Sequence, residues 1–182
     1  MILDNTHPFF EGFQFFGFIH RGGSEEATEN TLEAFQHSAD MGFKFMETDI
    51  QGTKDGEVVI FHDHDLSRMA DINKEIKELT YKEVKQIELV GGGRIPSLNE
   101  LLTSFPNLRF NIDFKTFNTI EKGVEIIREK KWYKLSIGLE MDSHYFTAYC
   151  YEKIKQSLPN AKLKDSERLV NWARLVKSNA EI

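Results

Sequence analysis

The chain has 182 residues and a formal net charge of −6, with 40% hydrophobic and 29% charged residues. This composition is typical of globular proteins and too apolar for general disorder. The single cysteine, Cys150, excludes an internal disulfide framework and a cysteine-rich zinc site, and it fits a reducing compartment, so we expect a cytoplasmic location. The negative charge argues against nucleic acid as the main partner, and no apolar run of 18 residues is present to span a membrane.

Short apolar runs alternate with helical patterns in the first half of the chain. Strands are predicted at 13–19, 43–50 and 58–61, the first of them buried on both faces, and a helix at 29–41. One face of that helix would carry Leu32, Phe35 and Ala39, and Gly42 would end it.

The second half continues the alternation. Helices are predicted at 80–89, 97–105, 119–130, 144–157 and 165–178, and strands at 108–114, 135–139 and 161–163. Ser97 and Glu100 form a capping-box pattern at the start of the second of these helices. Strands alternating with helices predict an α/β fold with a parallel sheet.

The first polar motif, His20-Arg21-Gly22-Gly23, directly follows the first predicted strand. In α/β proteins ligands bind at the carboxyl ends of the strands, and glycine lets the backbone approach a ligand closely. An imidazole beside a guanidinium suits an anionic substrate, because one can move protons and the other can hold a phosphate. The motif indicates an anion site; the alternative is a surface turn.

Two carboxylates, Glu47 and Asp49, lie at the end of the second predicted strand. Residues i and i+2 of a strand point to the same side, so these side chains face together and repel if both are buried. A hard divalent cation such as Mg²⁺ or Ca²⁺ would relieve this repulsion. The alternative is that one carboxylate pairs with a lysine and the other faces water.

Asp113 and Lys115 share one side at the end of a later predicted strand. Asp113 can supply a third metal ligand, and Lys115 can bind a phosphate oxygen or neutralise the carboxylates. A simple ion pair between these two residues is the alternative.

The motif His62-Asp63-His64-Asp65 follows the third predicted strand and places a second imidazole at the same rim as His20. A pair of histidines can supply the base and the acid that cleavage of a phosphoester requires. His64 lies further into the loop, where we expect it to be exposed to solvent.

Together these motifs resemble the glycerophosphodiester phosphodiesterase family. The elements H-R-G, E-N-T-x-x-A-F, E-x-D, T-x-D-G and H-D occur in the family's order and spacing, and the resemblance extends from about Phe15 to Trp132. It implies a TIM-type (β/α)8 barrel, one bound divalent cation, Mg²⁺ or Ca²⁺, and hydrolysis of a small-molecule glycerophosphodiester to sn-glycerol 3-phosphate and an alcohol.

The resemblance also implies roles for individual residues. It assigns acid–base catalysis to His20 and His62, phosphate binding to Arg21 and Lys115, and metal binding to Glu47, Asp49 and Asp113. Asp113 stands where the family more often has glutamate. Either histidine could be the base, and either water or the glycerol 2-hydroxyl could be the nucleophile. Glu29 and Asn30 are expected to anchor the first loop and helix.

A (β/α)8 barrel typically needs about 250 residues. We therefore expect a single domain over residues 1–182 that forms an incomplete barrel, with about five or six of the eight βα units. Either the chain is a truncated gene product or a partial sequence, or a partner or homo-oligomer covers the open side of the barrel, where unpaired strand edges would favour aggregation. Two other functions stay open. The chain could be a catalytically inactive truncated relative that binds phosphodiesters, or a phospholipase-type phosphodiesterase that acts on intact lipid.

Overall fold

A computed structural model describes residues 12, 17–130, 135–139, 156–157 and 162–163. Within them the strands are β1 Phe18–Ile19, β2 Phe45–Gly52, β3 Val58–Ile60, β4 Arg109–Phe114, β5 Leu135–Leu139 and β6 Lys162–Leu163. The α-helices are α1 Leu32–Asp40, α2 Ser67–Ala70, α3 Tyr81–Val84, α4 Leu98–Ser104 and α5 Ile120–Glu129. Short 3-10 turns lie at His20–Gly22, Ile76–Glu78 and Phe117–Thr119.

The sheet runs in the order β1-β2-β4-β5-β6 with all neighbours parallel, so the predicted α/β fold with a parallel sheet is confirmed. β3 departs from this arrangement. It pairs antiparallel with the end of β2, with Ile50 opposite Ile60. The connection over residues 53–57 is a tight turn, whereas a parallel crossover needs a dozen residues or more.

β2 and β4 have one apolar and one polar face, because side chains alternate along a strand. The apolar face packs against the helices, and its core includes Met46, Ile50, Phe110, Ile112, Phe114 and, from the helices, Phe35, Leu98, Leu101 and Ile127. The opposite face carries the polar residues Glu47, Asp49, Gln51, Asn111 and Asp113. The sheet therefore presents its carboxylates on the side away from the helices.

Two predicted helices form as expected, with identifiable ends. In α1, Thr31 accepts a hydrogen bond from the N–H of Ala34 at 3.3 Å, Phe35 is fully buried, and Gly42 ends the helix at φ +96°. In α4, Ser97 and Glu100 form the predicted capping box through reciprocal bonds of 3.1 and 2.8 Å. Each cap satisfies N–H groups that the first helical turn leaves unpaired.

Other predictions need correction. Phe18 is 41% exposed, so burial of the first strand on both faces is wrong there, because β1 pairs only with β2 in the described chain. The helix predicted at 80–89 shortens to α3, since Glu88 instead bridges back to Arg94 across a glycine turn. α2 and the turn at Ile76–Glu78 were not predicted.

The remaining predictions fall partly outside the described residues. The structure does not describe positions 13–16 of the first predicted strand or the helix predicted at 165–178. Of the helix predicted at 144–157 it describes only residues 156–157, which are helical. The strands predicted at 135–139 and 161–163 appear as β5 and β6.

Candidate active site

The loop after β1 is tied to β2 and to α1 by its backbone. Arg21 adopts a left-handed conformation (φ 53°), which points its N–H at Glu47 Oε2, 3.1 Å away. Its carbonyl accepts the N–H of Asn30 at 2.8 Å. Gly22 (φ +74°) is buried against Phe35, where a Cβ atom would come within 2.8 Å of the ring. The loop can therefore take this path only with glycine at position 22.

Glu47, Asp49 and Asp113 meet on the polar face of the sheet. One carboxylate oxygen from each lies within 4.8 Å of the others. Asp49 and Asp113 are direct partners in the β2–β4 register, and Asn111 donates to Asp113 Oδ1 at 2.9 Å. Three converging carboxylates form the oxygen donor set that hard divalent cations prefer, so this group could bind a metal ion.

The cluster is electrostatically costly without a cation. Burial, together with the charge of Asp49, raises the pKa of Glu47 to about 7. Lys115 Nζ lies 3.1 Å from Asp49 Oδ1, and Arg21 Nε lies 3.7 Å from Asp49 Oδ2. Two protein cations therefore offset part of the negative charge at Asp49.

These contacts address the alternatives that the sequence leaves open. One alternative is that, of Glu47 and Asp49, one pairs with a lysine and the other faces water. Asp49 does pair with a lysine, but neither Asp49 (1% exposed) nor the largely buried Glu47 faces water. In addition, Arg21 Nε is buried and has no hydrogen-bond acceptor among the described residues. Arg21 and Lys115 both contact Asp49, and a buried guanidinium N–H without a hydrogen-bond acceptor beside that residue fits an anionic group of a ligand.

His62 reaches the same region even though β3 runs antiparallel, because β3 returns beside the end of β2. The side-chain amide of Gln51 donates to the carbonyls of Phe61, His62 and Asp63 at 3.3, 3.2 and 2.5 Å. The ring Nδ1 of His62 lies 2.8 Å from Asp63 Oδ1. When Nδ1 carries the proton donated to Asp63, Nε2 is the nitrogen left to exchange protons.

His62 shares a cavity of about 550 Å³ with Lys115, and Gln51, His64, Glu75 and Lys77 also line it. Lys115 in turn contacts Asp49, so one residue of the cavity lining borders the carboxylates. His64 is 76% exposed, as predicted.

His20 lies at the outer edge of the cluster. Its side chain is 71% exposed, and Nε2 is 3.8 Å from Glu47 Oε2. The structure thus gathers six of the seven predicted site residues around the carboxylates and joins the seventh, His62, through the cavity that it shares with Lys115.

Several supporting residues were missed or only partly foreseen from the sequence. Asn30 is buried and links β2 to the loop, since it accepts from Thr48 Oγ1 at 2.9 Å and donates to Asp49 Oδ2 at 3.3 Å. This agrees with its expected anchoring role. Gln51 and Asn111 each lie two positions from a predicted metal ligand, so strand periodicity could have indicated them.

Arg68 and Glu29 form a second layer of contacts. Arg68 donates to Asp63 and to Glu29, and Glu29 also accepts from Arg21 Nη1 at 3.0 Å. Nothing in the sequence indicates the position of Arg68, because Glu29 and Arg68 are 39 residues apart. None of the helices in the part of the chain that the structure describes is both long and apolar enough to cross a membrane.

Comparison with known proteins gives consistent findings. The profile of the glycerophosphoryl diester phosphodiesterase family matches residues 20–173. A glycerophosphodiester phosphodiesterase of Caldanaerobacter subterraneus is 30% identical over 155 residues, which cover 79% of this chain and 63% of that protein. Human lysophospholipase D GDPD1 is 37% identical over 124 residues, which cover 60% of this chain and 40% of that protein. The chain therefore spans less than two thirds of the length of these relatives.

A solved structure shares the fold. The Oleispira antarctica phosphodiesterase in complex with the product sn-glycerol-3-phosphate superimposes with a TM-score of 0.68 at 25% identity, covering 86% of this chain and 71% of that one. Such neighbours imply a TIM-barrel fold, to which the described parallel sheet and its helices correspond.

Proposed function

The chain belongs to the glycerophosphoryl diester phosphodiesterase family, and from this premise we propose that it hydrolyses glycerophosphodiesters to sn-glycerol 3-phosphate and an alcohol in a metal-dependent reaction. The observation that carries the proposal is the convergence of Glu47, Asp49 and Asp113, with Arg21 and Lys115 directly beside Asp49. This arrangement can bind a divalent cation and a phosphate side by side.

The three carboxylates fit a divalent cation by their chemistry and by the repulsion that burial imposes on Glu47. In the proposal Glu47, Asp49 and Asp113 hold one Mg²⁺ or Ca²⁺ ion. When bound, the ion supplies Lewis-acid stabilisation of the phosphate charge. Arg21 and Lys115 add hydrogen bonds and positive charge to non-bridging phosphate oxygens, which become more negative in the transition state.

The two histidines perform the proton transfers in the proposal. One takes the proton of the nucleophile, water or the glycerol 2-hydroxyl, while the other gives a proton to the alkoxide that leaves as the P–O bond breaks. Attack by water gives sn-glycerol 3-phosphate directly, whereas attack by the 2-hydroxyl gives a cyclic phosphate that a water molecule must then open to the same product. In the tautomer of His62 that donates from Nδ1 to Asp63, Nε2 is the nitrogen that exchanges the proton. His20 lies beside Glu47, and its side chain is largely exposed to solvent.

The direct test is an assay with glycerophosphocholine, with and without a chelator, on the wild type and on His20→Ala and His62→Ala. We expect each substitution to lower kcat at least ~100-fold and chelation to abolish turnover. Lys122→Gln, which removes a surface ion pair with Glu125 on α5, is the control and should keep wild-type activity. Full activity in both histidine variants would overturn the proposal.

A second candidate function is phosphodiester cleavage in a lysophospholipid. The relative named lysophospholipase D, 37% identical over 124 residues, favours it. The same chemistry would serve both substrates, since the scissile group is the same. Parallel assays with lysophosphatidylcholine and glycerophosphocholine separate the two, and binding of either without turnover would identify a non-catalytic phosphodiester-binding protein.

We also propose, as a prediction from the resemblance, a single domain over residues 1–182. Association with a second copy or a partner and a cytoplasmic location stay predictions as well. Sedimentation equilibrium of the chain would test the second copy.

A further inference from the structure

Arg68 connects two residues that each contact a predicted site residue. Its Nε and Nη2 donate to the two carboxylate oxygens of Asp63, with Nη2–Oδ1 at 3.0 Å. Nη2 also donates to Glu29 Oε1 at 2.6 Å, and the same oxygen accepts from Arg21 Nη1 at 3.0 Å. A continuous chain of hydrogen bonds thus runs from His62 through Asp63, Arg68 and Glu29 to Arg21.

The backbone fixes the place of this guanidinium. α2 is held by Leu66 and Met69, which are buried in the hydrophobic cluster that includes Ile76 and Val84. Ser67 N–H donates to Asp65 Oδ1 at 2.9 Å at the start of the helix. Although Arg68 is half exposed, its planar fork is anchored by two carboxylates, and a bidentate arginine–carboxylate pair is geometrically specific.

Both carboxylates are kept ionised by these contacts. Burial alone would raise the pKa of Asp63 and of Glu29, but hydrogen bonds from Arg68, assisted by His62 and Arg21 respectively, lower both pKa values below the usual range. An ionised Asp63 can accept a hydrogen bond from a protonated Nδ1 of His62, and an ionised Glu29 accepts a hydrogen bond from the guanidinium of Arg21. The orientation of both site residues therefore depends on the same arginine.

We propose that Arg68 is a positioning residue that couples the acid–base histidine to the phosphate-binding arginine, through Asp63 on one side and Glu29 on the other. The inference rests on the proposed function for its effect on catalysis. Arg68 is absent from the lining of the cavity between His62 and Lys115, so it acts through Asp63 and Glu29.

The charged groups around His62 determine how its protonation should respond to the loss of Arg68. Asp63 contacts its ring, and the charged or titratable groups that line the same cavity are His64, Glu75, Lys77 and Lys115. Arg68 is the cation in direct contact with Asp63. Removal of this cation leaves the carboxylate of Asp63 less compensated, which favours the imidazolium form of His62.

The experiment compares Arg68→Gln, Arg68→Lys and the surface control Lys122→Gln. We expect Arg68→Gln to lower kcat by about 10- to 100-fold and to shift the His62 limb of the pH–rate profile to higher pH. Arg68→Lys should recover most of the pH profile, because it keeps the positive charge beside Asp63. It should recover only part of kcat, because an ammonium group cannot make the bidentate contact of the planar guanidinium. The His62 imidazole resonances, assigned with His62→Ala, give the titration independently of turnover.

A second variant covers the case in which Arg68→Gln does not fold. Glu29→Gln weakens the branch to Arg21 and leaves the pair between Arg68 and Asp63 in place, so it should raise KM several-fold while the His62 titration stays near that of the wild type. Wild-type kcat and an unshifted His62 titration in Arg68→Gln would overturn the inference, and so would a loss of kcat without any shift in titration. If the wild type hydrolyses no phosphodiester but the His62 titration still shifts, the proposed function fails and the Arg68–His62 coupling stands.

Discussion

The backbone N–H of Arg21 donates to Oε2 of Glu47 at 3.1 Å, joining the loop after β1 to the side chain of a predicted metal ligand on β2. The bond depends on the left-handed conformation of Arg21, which an ordinary extended residue would not adopt. It places a partial positive charge against the carboxylate that carries a raised pKa. The loop that would hold phosphate and the cluster that would hold a cation are thus one structural unit.

We predict that Glu47→Gln weakens cation binding while the fold is kept. The substitution preserves shape but removes one anionic ligand, so the dissociation constant for Mg²⁺ or Ca²⁺ should rise at least ~10-fold. Removal of the repulsion with Asp49 should leave the melting temperature of the metal-free protein equal to or above that of the wild type. Isothermal titration and thermal melting in chelator measure the two effects. The exposed Glu88→Gln is the control, and unchanged cation affinity in Glu47→Gln would contradict the prediction.

Gln51→Glu should destabilise the loop that carries His62. The amide of Gln51 donates to three backbone carbonyls, and a carboxylate at the same place would leave them unsatisfied and add a buried negative charge. We expect the free energy of unfolding to fall by about 3 kcal/mol, measured by urea denaturation. The same exchange at the exposed Gln86 should change stability by less than about 0.5 kcal/mol. Equal effects at both positions would show that the three hydrogen bonds do not hold the loop.

Gly22→Ala should cost more stability than Gly56→Ala. Both glycines have positive φ, +74° and +84°, but a Cβ at position 22 would come within 2.8 Å of Phe35, whereas position 56 is open. The two variants share the conformational cost of about 1 kcal/mol, and Gly22→Ala adds a steric cost of about 1–3 kcal/mol. Urea denaturation of both gives the difference directly. Indistinguishable values would mean that Phe35 moves aside freely.

Glu100→Gln should remove a pH-dependent contribution to stability. Burial opposes ionisation of Glu100, but hydrogen bonds from Ser97, Tyr81 and Lys85 lower its pKa to about 2. A carboxyl whose pKa is lower in the folded state stabilises the fold fully above its unfolded pKa, about 4.5 for Glu100, and this contribution is lost as pH falls towards about 2.

We expect the variant to be less stable than the wild type by about 1 kcal/mol at pH 7, and the gap to narrow below pH 4.5. Thermal melts between pH 2 and pH 7 test this, with the exposed Glu33→Gln as the control. A gap that is constant with pH would contradict the assigned cause.

The sequence predicts contacts between residues that are close along the chain better than contacts between residues that are far apart along it. Strand periodicity alone places Glu47 and Asp49 on one face. Asp49 meets Asp113 because of the register between two strands, and the two residues are more than 60 positions apart in the sequence. The family resemblance implied that these residues act together, whereas a local sequence pattern could not predict it. The direction of β3 could have been inferred from its short connection to β2, since five residues do not permit a parallel crossover.

Contacts made by long polar side chains lie beyond such reasoning. Arg68 meets Glu29 because α2 is packed by Leu66 and Met69, and the outcome of that packing is a tertiary property. Likewise, the helix predicted at 80–89 is shortened by a backbone bridge between Glu88 and Arg94, which local helix propensity does not register.

The two faces of β2 and β4 have a consequence for how the protein can diverge. Residues such as Met46 and Ile112 contact the helices, whereas their neighbours Glu47 and Asp113 contribute to the carboxylate cluster. Conservative hydrophobic exchange on the first face alters packing and leaves the donor atoms in place, while exchange on the second changes the available chemistry with little effect on the hydrophobic core. Substitutions can therefore alter stability and the chemistry of the site separately, along two sets of alternating positions within the same two strands.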